Sequence, residues 1–154
     1  MSGWKKGRGA LGPMAPLIGA WITTGAGEGS TPAHGMSCSR AFTAFGKDWI
    51  RLEAEWRMGD RPPYREVALF GKGEDGTLAF HSFTNDGKRS TGRLTDGTDV
   101  HPDAIAFEAQ MKAGLARMVY WPRDDGEPGF HFTVESRVKT GWKRFLTQAF
   151  ATEV

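Results

Sequence analysis

Three glycines at alternate positions, Gly25, Gly27 and Gly29, are the feature of this 154-residue chain that most invites a phosphate-binding interpretation. A dinucleotide-binding loop requires a strand before its glycines and a helix after them, because the helix N-terminus faces the phosphate. Here Pro32 follows, and the next stretch, SCSRAFTAF, alternates as a strand does. A P-loop also requires Gly-Lys-Ser/Thr, which is absent from this stretch. We therefore interpret the glycines as a loop or bulge at the end of a strand.

The four histidines do not have the spacing of a metal site. His34, His81, His101 and His131 are far apart and have no cysteine partners, so we expect no zinc and no other bound metal. His81, within LAFHSFT, is flanked by aromatic residues in a strand pattern. It is either a hydrogen-bonded residue of a cavity or a packing residue, and both interpretations stay open.

Acidic residues and nucleophiles give a weak signal for catalysis. Glu53 and Glu55 share one face of one strand, whereas the two carboxylates of a glycosidase normally come from different strands. There is no G-x-S-x-G nucleophile elbow. We expect no catalytic residues, and we favour a protein that is not an enzyme. An enzyme that used Glu53, Glu135 and His81 for acid-base chemistry is kept as an alternative.

The elements that would position these residues follow a period of two. In DWIRLEAEW, the side chains of Ile50, Leu52, Ala54 and Trp56 fall on one side, and AIAFEAQM and GFHFTVESRV alternate in the same way. Asp-Gly and Asn-Asp-Gly turn signals separate these runs. The pattern predicts a mainly β fold: a single antiparallel up-and-down β-barrel of about nine or ten strands with a short N-terminal helix at about 13–19.

Charge divides the chain into a tail and one domain. Residues 1–12 are glycine-rich, contain Lys5, Lys6 and Arg8, and are expected to form a flexible basic tail, while 13–154 form the barrel domain. Outside the tail there are 17 basic and 18 acidic residues. Nucleic-acid binding requires a basic folded surface, so we expect no nucleic-acid partner.

The remaining sequence features bear on location and partners. One cysteine, Cys38, excludes an internal disulfide, so no oxidising compartment is required. The apolar start is interrupted by Pro13 and Pro16, and no run of about 20 apolar residues exists to span a membrane. We expect a cytoplasmic protein with no membrane partner and a possible homodimer.

Aromatic residues are abundant, with six Trp, ten Phe and two Tyr. Barrels of about eight to ten strands can enclose one small ligand. We therefore expect a small hydrophobic molecule as the partner, although aromatic side chains could instead fill the barrel and leave a structural or protein-interaction module. The predicted ligand-binding residues are Trp21, Phe42, Trp56, Phe80, His81, Arg117, Phe132 and Trp142.

Short motifs that contain Gly and Trp lie near both ends of the chain and resemble those of a known superfamily. Gly19-Ala20-Trp21 lies near the start, and Asp125-Gly126, Phe130-His131-Phe132, Glu135 and Gly141-Trp142 lie near the end. Together they resemble the calycin-like β-barrels (lipocalins, fatty-acid-binding proteins and nitrobindins), and most of all a bacterial lipocalin-like family of unknown function. The resemblance spans about 16–154 and implies ligand binding inside a barrel.

Two relatives within that superfamily suggest specific ligands. Similarity to nitrobindin implies haem held by a late histidine, for which His131, or alternatively His81, is the candidate, although no cofactor is expected. Fatty-acid-binding proteins hold a carboxylate with paired arginines and a tyrosine. Residues that could supply that contact here are Arg93, Arg117, Arg137 and Arg144.

Overall fold

The chain folds into ten antiparallel strands that follow a short 3-10 helix in a computed structural model describing residues 4–24 and 36–153. The helix spans Gly12–Leu17, and the strands are β1 (Gly19–Thr23), β2 (Met36–Phe45), β3 (Trp49–Met58), β4 (Tyr64–Lys72), β5 (Leu78–Thr84), β6 (Arg89–Thr95), β7 (Ile105–Met111), β8 (Gly114–Pro122), β9 (Gly129–Val138) and β10 (Gly141–Thr152). The glycine-rich stretch at 25–29 and His34 lie outside the described residues.

Each strand pairs with the next one along the chain, and β1 pairs with both β2 and β10. The sheet therefore closes into a barrel, which leaves no unpaired edge. The predicted mainly β up-and-down barrel with a short N-terminal helix is confirmed, with ten strands. The helix is a 3-10 helix, and a proline lies at its start, where a missing N–H costs nothing.

Alternation along the strands determines which side chains face the interior. In β3, Ile50, Leu52 and Ala54 are buried, while Glu53 between them is exposed. In β9, Phe130 and Phe132 are buried in the same core cluster. Because successive strand residues point to opposite faces, every second residue of a strand faces the interior, except where the register shifts between Arg144 and Leu146 in β10.

The barrel has two ends, which we call the helix end and the far end. β1 starts beside the 3-10 helix, so the connections after β2, β4, β6 and β8 lie at this helix end. The connections after β3, β5, β7 and β9 lie at the opposite, far end. Tight turns at both ends use glycines in the left-handed region, as at Gly76 (φ 84°) and Gly87 (φ 86°).

The 3-10 helix fills the helix end of the barrel. Met14 and Leu17 are fully buried and belong to the core cluster. The indole Nε1 of Trp21 donates a 2.8 Å hydrogen bond to the Leu17 carbonyl, and the Trp21 ring meets Phe130 edge-on at 5.3 Å. Trp4, in the segment predicted to be a flexible tail, also packs against the core.

Candidate functional site

Aromatic rings fill the middle of the barrel next to the helix end. Ring centroids lie 5.0 Å apart for Phe70 and Phe107 and 4.8 Å apart for Tyr120 and Phe132. The fully buried rings of this layer are those of Phe42, Phe70, Phe80, Phe107, Tyr120, Phe130, Phe132 and Phe150. Aromatic edge-to-face packing stabilises such a core beyond the burial of its area.

One charged side chain, that of Arg40 on β2, lies inside this aromatic layer. It is only 1% exposed. Its Nη2 donates a 2.7 Å hydrogen bond to the Tyr120 hydroxyl, and its Cζ lies 4.4 Å from the centroid of the Phe132 ring and 5.5 Å from that of Trp56. The other two guanidinium nitrogens, Nε and Nη1, are buried and have no hydrogen-bond partner among the described residues.

Among the groups that raise the pKa of Arg40, Glu66 is the one carboxylate, and it forms no direct hydrogen bond with the guanidinium among the described residues. Burial raises the pKa of the Cys38 thiol to about 11 and that of the Tyr120 phenol to about 12, although Arg40 itself opposes both shifts. Both groups are therefore neutral at physiological pH. Glu66 accepts a hydrogen bond from Ser82 Oγ instead.

A third orphaned polar atom lies in the same layer. The Gln148 side chain is buried, and its Oε1 has no hydrogen-bond partner among the described residues. Gln148 pairs with Phe132, whose ring contacts the Arg40 guanidinium. Phe132 is therefore a neighbour of both the side chain with unpaired donors and the side chain with the unpaired acceptor, and buried polar groups without partners are rare in folded proteins.

Above this layer, towards the far end, the inward-facing side chains are apolar and only partly buried. Val134 lies one inward position beyond Phe132, and Leu146 one beyond Gln148. Trp56, Met118, Val134 and Leu146 all pack on the core without being fully buried. We call this arrangement the Arg40 cup: a polar floor of Arg40, Gln148, Glu66 and Ser82 beneath an apolar wall of Trp56, Met118, Val134 and Leu146.

The predicted ligand-binding residues divide between the two faces of the sheet. Five have side chains on the barrel interior, namely Trp21, Phe42, Trp56, Phe80 and Phe132. The other three, His81, Arg117 and Trp142, lie on the outer face. His81 is exposed, because it alternates with the buried Phe80 and Ser82.

Arg117 is buried on the outside of the barrel, under the segment between β6 and β7. Its Nε donates to Glu135 at 2.7 Å, and its Nη2 donates to Asp99 at 2.6 Å. The Trp142 ring lies 4.5 Å from the Arg117 Cζ. The expectation that Arg117 and Trp142 line the interior is corrected, since Arg117 lies three residues before the inward-facing Tyr120 and so points the opposite way.

The groups considered for catalysis or haem binding also face outward. Glu53 is exposed on β3, Glu135 pairs with Arg117, and His81 is exposed on β5. These three groups do not converge on one pocket. His131 stacks on Trp121 on the outer face of β9, with centroids 5.4 Å apart.

Sequence reasoning missed the central residue of the site, Arg40. The four arginines considered for a carboxylate contact, Arg93, Arg117, Arg137 and Arg144, contact partners on the outer face instead. The signal was present in SCSRAFTAF, because Arg40 shares its strand face with Cys38 and Phe42. A charged residue on the apolar face of a strand marks a buried polar site.

Comparisons with known proteins add no family to this description. No protein-family model matches the chain, and the search of curated proteins finds no match. Among the described residues, no cluster of three His, Cys, Asp or Glu side chains could hold a metal ion. No helix in the described part of the chain is long and apolar enough to cross a membrane.

Proposed function

We propose that this protein binds a small, mainly apolar molecule inside its barrel and that the ligand carries an anionic group bound by Arg40. The observation that carries the proposal is the state of Arg40: a permanently charged side chain, buried, with two nitrogens unpartnered among the described residues. Guanidinium N–H groups are strong donors to carboxylate, sulfonate or phosphate oxygens.

The free-energy cost of burying the Arg40 charge favours an anionic group beside its guanidinium. A buried charge that makes no direct ion pair costs several kcal/mol even after the protein relaxes. Contact of the guanidinium with aromatic rings returns about 2 kcal/mol when the ring face is dry. The hydrogen bond to Tyr120 satisfies one nitrogen only. An anionic group would satisfy Nε or Nη1 and pair directly with the guanidinium, whereas Glu66 accepts its hydrogen bond from Ser82.

The wall of the Arg40 cup supports an apolar body for the ligand. Trp56, Met118, Val134 and Leu146 are inward-facing yet partly exposed. Ligand sites in proteins commonly combine an apolar lining with a few polar groups that fix the orientation of the ligand. A molecule with one charged end would contact these side chains with its apolar part.

Kinship with the calycin-like barrels, a bacterial origin and a cytoplasmic location belong to the same proposal. The closed ten-stranded antiparallel topology supports the first of these, and the single cysteine is compatible with a reducing compartment. The proposal does not extend to haem, because His81 and His131 both lie on the outer face.

A matched pair of fluorescent probes tests the proposal: N-phenyl-1-naphthylamine, which is neutral, and its 8-sulfonate, which carries one negative charge. We expect the wild-type protein to bind the sulfonate about tenfold more tightly than the neutral probe, since a hydrogen bond to a charged group contributes about 1.5–3 kcal/mol. Arg40→Met should abolish this preference while retaining the neutral probe. Arg89→Met, which removes an exposed outer arginine, is the control and should retain the preference.

Two results would contradict the proposal. If neither probe binds, the barrel is a packed structural module. If Arg40→Met and Arg89→Met reduce sulfonate binding equally, the probe responds to the net charge of the protein and not to the cup.

A further inference from the structure

Two neighbouring hairpin turns at the far end share an unusual surface composition. β8 and β9 pair from Ala116 opposite Ser136, so the β7–β8 turn and the β9–β10 turn lie side by side just beyond this pair. We use the name basic rim for the exposed residues of these two turns and of the first half of β10, which are Met111, Lys112, Val138, Lys139, Lys143 and Phe145. The rim lies at the end of the barrel towards which the wall of the Arg40 cup extends.

Positive charge on this rim is not balanced by acidic residues within the two turns or the strand ends that flank them. No Asp or Glu occurs from Ala109 to Pro122 or from Ser136 to Thr152. Lys112, Lys139 and Lys143 are exposed and form no ion pair among the described residues. The turns on the other side of the far end are mixed in charge, since they contain Asp60 and Asp86.

Apolar side chains are exposed between these cations. Met111 is 45% exposed, Val138 39% and Phe145 53%. The exposure of Phe145 has a local cause: Arg144 pairs with Glu135 and Leu146 with Val134, so Phe145 has no opposite residue. Such a β-bulge turns a side chain out of the regular alternation.

The combination of cations and apolar side chains narrows the choice of partner. A symmetric contact between two copies would bring the same positive charges together. Stacking on successive nucleic-acid bases uses several free aromatic rings, whereas this rim offers Phe145 alone among the described residues, because Arg117 and Arg137 lie against the nearby Trp142 ring. Anionic lipid headgroups attract exposed lysines, while apolar side chains insert at the boundary of the acyl chains.

We propose that the basic rim docks this protein on the surface of bilayers that contain anionic phospholipids. The sequence led us to expect no membrane partner because no segment can span one, but surface docking needs no spanning segment. The inference does not depend on the proposed ligand. If both hold, the Arg40 cup would face the bilayer, where amphipathic anions are concentrated.

Sedimentation with vesicles tests the inference. We expect the wild-type protein to pellet with phosphatidylcholine vesicles containing phosphatidylglycerol, not with phosphatidylcholine alone, and to be released by high salt. Lys139→Glu/Lys143→Glu should lower partitioning by at least about tenfold, since each cation contributes about 1 kcal/mol near an anionic surface. The matched control, Lys5→Glu/Lys6→Glu in the basic tail, changes the charge equally and should retain binding.

A second pair of variants separates the insertion of apolar side chains into the bilayer from the electrostatic attraction of lysines to its headgroups. Phe145→Ser should weaken vesicle binding, whereas Phe45→Ser, which changes a ring 50% exposed at the helix end, should not. Thermal unfolding of each variant checks that it is folded. Three results would overturn the inference. The tail variant alone could lose binding, both lysine variants could lose it equally, or the wild-type protein could pellet equally with neutral vesicles.

Discussion

Arg40 and Tyr120 lie 80 positions apart in the chain and are joined inside the barrel by a 2.7 Å hydrogen bond from Nη2 to the phenol oxygen. Their strands, β2 and β8, are not neighbours in the sheet, so this bond crosses the interior. It fixes the guanidinium against the Phe132 ring and leaves Nε and Nη1 without partners among the described residues. The guanidinium is thus held in a fixed position while two of its nitrogens stay buried without partners among the described residues.

The structural cost can be measured in the ligand-free protein. We expect Arg40→Met/Tyr120→Phe to raise the free energy of unfolding by about 1–4 kcal/mol, because replacing buried charged groups by apolar ones of similar volume is often stabilising. Tyr120→Phe alone should lower it by about 1.5–3 kcal/mol, because the guanidinium loses its acceptor. Urea denaturation measures both changes. A double variant less stable than the wild type would show that the aromatic surroundings already stabilise the charge, and would remove the need for an anion.

Alkaline pH should destabilise the fold in two stages. The pKa of Cys38 is raised from 9.0 to about 11 and that of Tyr120 from 10.0 to about 12, in both cases chiefly by burial. Above pH 9 the unfolded chain therefore loses protons that the folded chain retains. Stability is fully present below pH 9 and falls by about 1.4 kcal/mol per pH unit for each group that titrates only in the unfolded state.

Denaturation at a series of pH values measures this loss, and Cys38→Ala isolates its first stage. The variant should show no decline between pH 9 and 10, where Cys38 alone contributes, and should then decline as Tyr120 begins to titrate in the unfolded chain. Identical profiles for the variant and the wild type would contradict the assignment to Cys38. The buried thiol should also react slowly with iodoacetamide at neutral pH, because it is protonated there.

The outer-face ion pair should contribute to stability and not to ligand binding. Glu135 accepts from Arg117 at 2.7 Å and from Arg144 at 3.1 Å, and its side chain is 5% exposed. Glu135→Gln should lower the free energy of unfolding by about 3 kcal/mol, because it leaves a buried cation undercompensated. Glu53→Gln is the control: the exposed Arg51–Glu53 pair should contribute less than about 1 kcal/mol. A change in the preference between the two naphthylamine probes would contradict the separation of the two sites.

The fold could be predicted from the sequence because a strand reveals its faces by alternation. Ile50, Leu52 and Ala54 in β3, and Phe130 and Phe132 in β9, repeat at a period of two, and Asp-Gly turns separate the runs. Closure of the barrel could be predicted from the number of strands, because a long antiparallel sheet removes its unpaired edges by closing. Alternation and turn signals depend on residues that are close together in the sequence, so they can be recognised without the structure.

The candidate site could be predicted only in part, because it depends on which strands meet across the interior. Phe42, Trp56 and Phe132 were identified as inward residues, but the contact between Arg40 and Tyr120 joins strands that no local pattern connects. Arg117 was misassigned for a different reason. It is buried, as a wall residue would be, but a covering segment that carries Asp99 buries it from outside.

The closure of the helix end gives the last prediction. Leu17 is fully buried at the end of the 3-10 helix, and its carbonyl accepts the hydrogen bond from Trp21. Leu17→Ala should lower the free energy of unfolding by about 2–5 kcal/mol, because a buried leucine leaves a cavity that only partly collapses. Ile18→Ala, at the next residue, removes a side chain that is 44% exposed and should cost less than about 1 kcal/mol. Both variants should keep the wild-type preference for the sulfonated probe, since the helix and the wall of the Arg40 cup lie towards opposite ends of the barrel. A loss of that preference in Leu17→Ala would place the ligand at the helix end and contradict the proposed cup.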